Sequence, residues 1–425
     1  MRAALRTCAA LAAALLLACE PGAKRPNLLF VSIDTLRADH LGFEGWPRPT
    51  SPNLDALAAK SVVFDSAQSA SSWTLPSLAS LMTSLQASAH GCDQIASRLD
   101  PSYTTCAEIL RDSGYDTAFV ASHVFLSAGY GLQQGFTHVD TRILQDESAI
   151  TSPAVTDWGL AWLENKAAVA DGVPWFLWLH YFDPHAPYLV HEGISEQFGS
   201  ETDLDRYDGE IAFTDQHLGR LFEAFERLGF AENTILVVVA DHGEEFGEHG
   251  VQGHGYDLHE EVVRIPLVVR VPGVAPRRVD DVVPTVDVMP TLLELCGARA
   301  RRELEGESLL PLLAGRSDQA REALSEVRWQ FGQDMKSLRQ GPWKLIDSRR
   351  GQNAAEMLYE KNADRAETAN VVADHPETAE AMRTDLRERV ETSRKLSSGY
   401  EHRKTSTLTP AEEERLRALG YTGDK

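Results

Sequence analysis

Three stretches of the chain carry apolar side chains at nearly every position: Asn27 to Ile33, Trp175 to Tyr181 and Thr234 to Ala240. Runs such as Leu28-Leu29-Phe30-Val31 and Ile235-Leu236-Val237-Val238-Val239 lack the polar alternation of a half-exposed strand. They predict strands buried on both faces, as in a parallel sheet covered by helices. Between them the pattern changes. Ser51 and Pro52 suit the cap and first turn of a helix, Val62 to Asp65 predicts a strand, and Pro76 to Leu81 and Thr105 to Asp112 predict helices. Strand Thr117 to Ala121, a helix near Val155 to Glu164, the long helical pattern Asp208 to Arg227 and strand Pro266 to Val271 complete the series. Such alternation predicts an α/β fold, with crossover units on a mainly parallel sheet sandwiched by helices.

Past about Glu307 the texture shifts. Ala323 to Trp329, Ser337 to Arg339, Trp343 to Asp347 and Glu356 to Tyr359 predict short antiparallel strands, followed by a helix from Pro376 to Glu391. The partition expected is a leader over 1–18, a catalytic domain over 19–306, a small α+β subdomain over 307–396 and a charged tail over 397–425. That tail holds a helix start at Pro410-Ala411-Glu412-Glu413 and ends near Leu419-Gly420-Tyr421.

A hydrophobic content of 43% and a charged content of 24% are those of an ordinary globular enzyme. The net charge of -22, without a Lys/Arg stripe, argues against a nucleic-acid partner. Arg2 and Arg6, the apolar run Ala9 to Ala18 and Leu16-Leu17-Ala18-Cys19 read as a bacterial lipoprotein signal cut before Cys19. The run is too short to span a bilayer comfortably. The protein is therefore expected in the bacterial cell envelope, held to the membrane by lipid on Cys19 and facing the periplasm or the exterior. In that oxidising setting Cys92 and Cys106 are placed to close a disulfide loop, whereas Cys296 reads as a buried thiol at a helix end.

The chemistry lies at the strand ends. Asp34 follows the first strand, and Asp241-His242-Gly243 follows the Thr234 strand. In open parallel sheets the ligand crevice lies beyond the carboxyl ends of the strands, so these metal-competent groups are expected to meet. A helix near Pro76 would aim free amides at the residues before it, favouring an alkoxide there. Ser71, Ser72, Thr74 and Ser77 all compete for that nucleophile position, where a nearby cation would activate a hydroxyl. His185 follows a buried strand, and His254 sits in the glycine-rich Gly253-His254-Gly255 loop. His249 and His180 would form a second metal site with Asp183. Arg37 and Asp39 are candidates for orienting Asp34. Glu244 and Glu245 read as a solvated loop, and Lys344 as a strand residue of the small subdomain.

From Pro26 to Gly420 the chain resembles the sulfatases of the alkaline phosphatase superfamily. The resemblance rests on Val31-Ser32-Ile33-Asp34-Thr35-Leu36-Arg37-Ala38-Asp39, Ser51-Pro52-Asn53-Leu54-Asp55, the Thr74 segment, Gly114-Tyr115-Asp116-Thr117, His180 to Tyr188, Ala240-Asp241-His242-Gly243-Glu244 and Thr285 to Leu292. It implies an alkaline-phosphatase-like fold. It also implies one divalent cation (zinc, manganese or calcium) on Asp34, Thr74, Asp241 and His242, with Thr74, His185 and His254 acting on an anionic ester. His123 falls near where such enzymes keep substrate-contacting residues. The motif whose first residue becomes formylglycine in sulfatases, cysteine or serine followed two residues later by proline and four later by arginine, reads Thr74-Leu75-Pro76-Ser77-Leu78 here. Threonine cannot become formylglycine. An imidazole in the metal pair also suits zinc or manganese better than calcium. These departures resemble lipoteichoic acid synthases and phosphoethanolamine transferases, which use an unmodified threonine.

The activity implied is metal-dependent hydrolysis of sulfate or phosphate esters by in-line attack of a threonine alkoxide. Two further readings are phosphoryl transfer onto envelope glycans or lipids, and noncatalytic binding of an anionic glycan.

Overall fold

The computed structural model describes residues 24–145, 150–317, 320–329, 333–350, 353–400, 408–418 and 421; the expected leader and Cys19 lie outside them. In chain order the strands of the large sheet are β1 (Asn27–Ile33), β2 (Val62–Gln68), β3 (Asp116–Val120), β4 (His138–Asp140), β5 (Trp175–Tyr181) and β6 (Thr234–Ala240). After the short hairpin β7 (Glu245–Phe246) and β8 (Gln252–Gly253) come β9 (Leu267–Arg270) and β10 (Arg277–Pro284). Their spatial order is β10-β2-β9-β6-β1-β5-β3-β4. Only β9 runs against its neighbours, pairing antiparallel with β2 and β6. Every residue of β1, β5 and β6 is buried, which is why those runs show no alternation. The edge strand β10 escapes prediction because its first five residues, Arg277-Arg278-Val279-Asp280-Asp281, bury Val279 alone and a bulge follows Val279.

Two helix starts differ from expectation. The helix predicted from Pro76 spans Thr74–Thr83. A proline at its third position costs no helical hydrogen bond, because the first amides of a helix have no intrahelical partner. Ser51 does not cap helix Pro52–Ala58; the Asp215 carboxylate accepts from the amides of Asn53 and Leu54 at 2.9 and 2.8 Å. The helix read as Asp208 to Arg227 begins at Asp203, behind a capping box of Thr202 and Asp205.

The C-terminal strands β11 (Glu322–Trp329), β12 (Gln333–Gln340), β13 (Trp343–Arg350) and β14 (Asn353–Glu360) form an antiparallel meander. Leu324, Leu338, Leu345 and Leu358 lie in one cross-strand row. Helix Pro376–Ser397 covers that row with Ala379, Met382, Leu386 and Val390, spaced by three and four residues. Among the described residues no helix is long and apolar enough to cross a membrane. Cys92, Cys106 and Cys296 are buried free thiols, so the disulfide that their spacing permits is not formed.

Candidate active site

Parallel pairing sets the depth at which each strand ends. Ile33 is in register with Ala240 on one side and Tyr181 on the other, so Asp34 and Asp241 leave the sheet side by side. The Asp34 amide donates to the Tyr181 carbonyl at 2.9 Å, fixing the turn. Both carboxylates are fully buried. Asp241 Oδ1 accepts from the amides of His242 (2.8 Å) and Thr35 (3.3 Å). Asp241 Oδ2 and both oxygens of Asp34 have no hydrogen-bond partner among the described residues.

His242 Nε2 lies 3.5 Å from Asp34 Oδ1 and 3.6 Å from Asp241 Oδ2. Its Nδ1 is 2.9 Å from the Gly243 carbonyl, which can only accept. Nδ1 therefore carries the proton, and the lone pair of Nε2 points at the carboxylates. Burial holds this imidazole well below its ordinary pKa, so it is neutral. Burial, then the neighbouring Asp241 and Glu244, pushes Asp34 well above the carboxylate range, and burial takes Asp241 to about 7. Unpartnered carboxylate oxygens around a neutral imidazole fit a divalent cation better than any ligand-free arrangement, since buried charge without a partner is costly. A ligand atom from each of Asp34, Asp241 and His242 lies within 4.8 Å of the other two.

Thr74 opens its helix against this group. Its Oγ1 is 3.3 Å from His242 Nε2. The competing hydroxyl of Ser77 turns away and donates to the Ser71 carbonyl at 2.9 Å. The Ser71 and Ser72 hydroxyls are buried without a partner among the described residues. A second histidine not counted in the centre, His180, presents Nε2 to Asp34 Oδ2 at 3.4 Å. Its Nδ1 meets Ser32 Oγ at 2.7 Å, and that oxygen accepts from the Trp178 indole at 2.8 Å. Burial lowers His180 to about 3.

His185 and His254 stand over the centre, with ring centroids 4.9 Å apart. His185 Nδ1 donates to the Ala186 carbonyl (2.6 Å), and His254 Nδ1 lies 2.9 Å from Glu244 Oε1. Burial lowers His185 to about 4. Both Nε2 atoms converge on one oxygen, the Tyr421 phenol, at 3.3 and 3.0 Å, and that oxygen is also 3.2 Å from Thr74 Oγ1. Sequence reasoning left Tyr421 in the tail; no periodicity marks a single aromatic residue folding back over so long a separation. Burial, then the nearby Asp34, pushes this phenol well above its ordinary range, so it stays protonated. His123 lies beside the same group, its ring 5.8 Å from those of His185 and Tyr421.

Three expectations need correction. Glu244 and Glu245 are buried rather than solvated. Burial raises Glu244, but the His254 and His185 imidazoles and the Tyr188 hydroxyl together more than reverse this and leave it below its ordinary value. Asp183 does not join a metal group with His180 and His249. Its Oδ2 accepts from the Ser152 amide (2.6 Å) and hydroxyl (2.5 Å), at the start of helix Ser152–Val169. Arg37 chelates Asp39 at 3.0 and 2.8 Å and donates to the Glu244 carbonyl at 3.1 Å, so it steadies that loop and not Asp34. Lys344 lies in a strand of the small subdomain as expected, with its amine buried between Glu260 (3.2 Å) and Glu367 (3.0 Å).

Residues 26–298 match the family model for sulfatases, and residues 247–396 match the model for the C-terminal region of N-sulphoglucosamine sulphohydrolase. The chain belongs to the sulfatase family. It is 27% identical to the ulvan-active sulfatase of Formosa agariphila over 71% of this chain and 67% of that one. It is 26% identical to the multifunctional alkaline phosphatase superfamily protein PehA of Trinickia caryophylli, over 68% and 77%. The phosphonate monoester hydrolase of Agrobacterium radiobacter shares the fold of this sulfatase-family chain with a TM-score of 0.75, at 20% identity over 87% and 96% of the two chains. A protein solved with its substrate D-glucosamine-2-N,6-O-disulfate gives 0.73, at 19% identity over 88% and 99%. By class this sulfatase-family chain is a sulfuric or phosphoric ester hydrolase.

Proposed function

We propose that this chain hydrolyses sulfate or phosphate esters of envelope glycans or lipids, with Thr74 as nucleophile. Asp34, Asp241 and His242 would hold one divalent cation, with Thr74 Oγ1 as a further ligand. Such a cation would ease loss of the hydroxyl proton and offset charge on the ester. The observation that carries the reading is the placement of Thr74 Oγ1 3.3 Å from His242 Nε2, inside a buried cluster of unpartnered carboxylate oxygens.

At the first residue of its helix, Thr74 has its oxygen beside unpaired amides and the positive helix end, which favour an oxyanion. That oxygen attacks sulfur or phosphorus in line, the bond to the bridging oxygen breaks, and the alcohol leaves with the electron pair and takes up a proton. Water then attacks the Thr74 ester, releasing the inorganic anion and restoring the hydroxyl. His185 and His254 direct Nε2 at the position that nonbridging oxygens would take, and each, its Nδ1 already facing an acceptor, would donate there only as the imidazolium. Tyr421 Oη holds that position, so an ester reaches Thr74 only after the phenol withdraws. An unmodified threonine lacks the collapse to an aldehyde that expels sulfate from formylglycine, which weights the reading toward phosphate.

Wild type and Thr74→Ala are compared on 4-nitrophenyl sulfate and 4-nitrophenyl phosphate. Loss of on the order of 10⁴-fold in kcat on the better ester is expected; unchanged hydrolysis of both esters would place the nucleophile elsewhere. A folded wild type inert on both esters that still binds inorganic sulfate would favour the glycan-binding reading. We also propose that lipid on Cys19 holds the protein to the bacterial envelope. Cys19→Ala should then move it from the membrane fraction to the soluble fraction.

A further inference from the structure

We infer that Glu245, His249, Asp257 and His259 form a second divalent-cation site, separate from the Asp34 centre. It pins the loop after β6 to the C-terminal sheet. A ligand atom from each of Glu245, His249 and His259 lies within 4.8 Å of the other two. Proximity alone would make this an ordinary polar cluster. The unpartnered atoms make it a candidate site.

Glu245 is fully buried, yet neither of its oxygens has a hydrogen-bond partner among the described residues. The same holds for Asp257 Oδ2 and His259 Nδ1, on residues exposed by only 2% and 6%. These last two atoms are 3.0 Å apart without hydrogen-bond alignment. Neighbouring ligands on one ion stand about 3.0–3.4 Å apart when each lies about 2.1 Å from it, so the separation suits two ligands sharing a cation. Among the described residues neither Glu245, Asp257 nor Glu261 pairs with a lysine or arginine. Buried acids in that condition are relieved either by a bound cation or by a proton shared between Glu245 and Asp257, and a metal titration tells the two apart.

The imidazoles are set up by their outer contacts. His249 Nε2 is 3.2 Å from Glu261 Oε2, and His259 Nε2 is 3.3 Å from the Tyr359 hydroxyl. If each Nε2 carries the proton, each Nδ1 keeps a lone pair; a carboxylate or hydroxyl behind a ligating histidine is the usual support of a metal site. The two rings stack at 3.7 Å with planes 7° apart, which keeps the two side chains side by side. Tyr359 belongs to β14, which links the site to the small sheet. Two nitrogens with carboxylate oxygens suit zinc first, then manganese.

The test is metal stoichiometry, which does not depend on turnover. Full-length protein is stripped with chelator and titrated with zinc alone, following heat of binding and thermal midpoint, with bound metal counted by mass spectrometry. Wild type should take two equivalents, Glu245→Gln and His249→Ala one each, and Asp34→Asn one. The combined Glu245→Gln, Asp34→Asn variant should take none. The rise in midpoint from the second equivalent should survive Asp34→Asn and vanish in His249→Ala. A wild type binding one equivalent that Glu245→Gln and His249→Ala both retain would overturn the second site and leave the Asp34 centre standing. Loss of metal only with Asp34→Asn would do the same. If His249→Ala unfolds, the near-isosteric Glu245→Gln decides the matter.

Discussion

The Asp34 centre and the Glu245 cluster use the same side-chain types, but different parts of the fold bring them together. Asp34 and Asp241 are neighbours because β1 and β6 run parallel and in register, so two residues 207 positions apart are set at one depth by a rigid sheet. Glu245, His249, Asp257 and His259 are near in sequence and are gathered by a hairpin and the loop after it. The first arrangement puts its acids where a crevice must open, at the carboxyl ends of the strands. The second hangs between the sheet and β14, where a cation would act as a clasp. The lesson is that matching ligand sets can serve chemistry in one place and shape in another, and the supporting element tells which.

Neutralising one acid in each region should break the likeness most sharply. Asp34→Asn is expected to lower kcat by on the order of 10³-fold or more, because on the proposed reading Asp34 would hold the cation. In chelator the same variant should melt higher than wild type, since Asp34 is a buried carboxylate beside Asp241 and Glu244 with no compensating donor. Differential scanning fluorimetry with and without zinc checks both signs. A metal-free Asp34→Asn that melts lower than wild type would mean the acid is held by contacts within the protein.

This contrast also explains what the sequence discloses. Asp34, Asp241 and His242 were legible because unbroken apolar runs end at them and a parallel sheet gives those ends a common meaning. The row of leucines in β11 to β14 was legible in part, with strand ends cut short where half-buried Asp334 and exposed Arg349 and Asn353 carry no apolar signal. The Glu245 cluster was not legible. Loops have no period, so Glu245 reads as solvated and His249 is paired on paper with Asp183, which in the fold caps a helix. Tyr421 was hidden for a further reason: nothing local tells a tail residue which distant cavity it fills.

A third acid pair, Glu367 buried and Glu260 half-buried, offers the opposite solution, in which protein cations fill the place of a metal. Lys344 and Lys361 each stand 3.0 Å from Glu367 Oε1, and Lys344 also meets Glu260 at 3.2 Å. Lys344→Met should cost about 3–5 kcal/mol, because Lys361 alone is left to offset both acids. Urea denaturation measures this, and zinc should not restore it. A loss below about 1 kcal/mol would show that Lys361 alone balances both acids.

Smaller effects are expected at the lid of the first centre. Leu416 in helix Pro410–Ala418 is fully buried, and Glu412 pairs with Arg98 at 3.2 Å, so the described part of the tail is docked and not loose. Deleting residues 408–425 should raise kcat/KM several-fold through a lower KM, since an ester no longer competes with the phenol. Tyr421→Phe should do part of this by removing the contacts to Thr74, His185 and His254. A fall in kcat with unchanged KM would make Tyr421 a catalytic group instead of a plug.

The last contrast sets imidazoles with a nitrogen left open against one that the protein closes on both sides. His90 Nδ1 accepts from the Cys92 amide at 3.0 Å, so Nε2 carries the proton and donates to Ser80 Oγ, also at 3.0 Å. Ser80 lies in the helix that begins at Thr74, so His90 braces the far end of that helix. Burial lowers its pKa to about 3, well under the 6.5 of an unfolded histidine. The fold thus favours the neutral form. The stabilisation is present in full above pH 6.5 and declines as pH falls from there toward about 3. His90→Asn keeps an acceptor for the Cys92 amide but does not titrate. It should cost about 1 kcal/mol at pH 7.5, and its stability should fall less steeply than that of wild type between pH 6.5 and 4. Denaturant midpoints across that range decide the point: parallel curves for the two proteins would show that His90 is not the group through which acid loosens this helix.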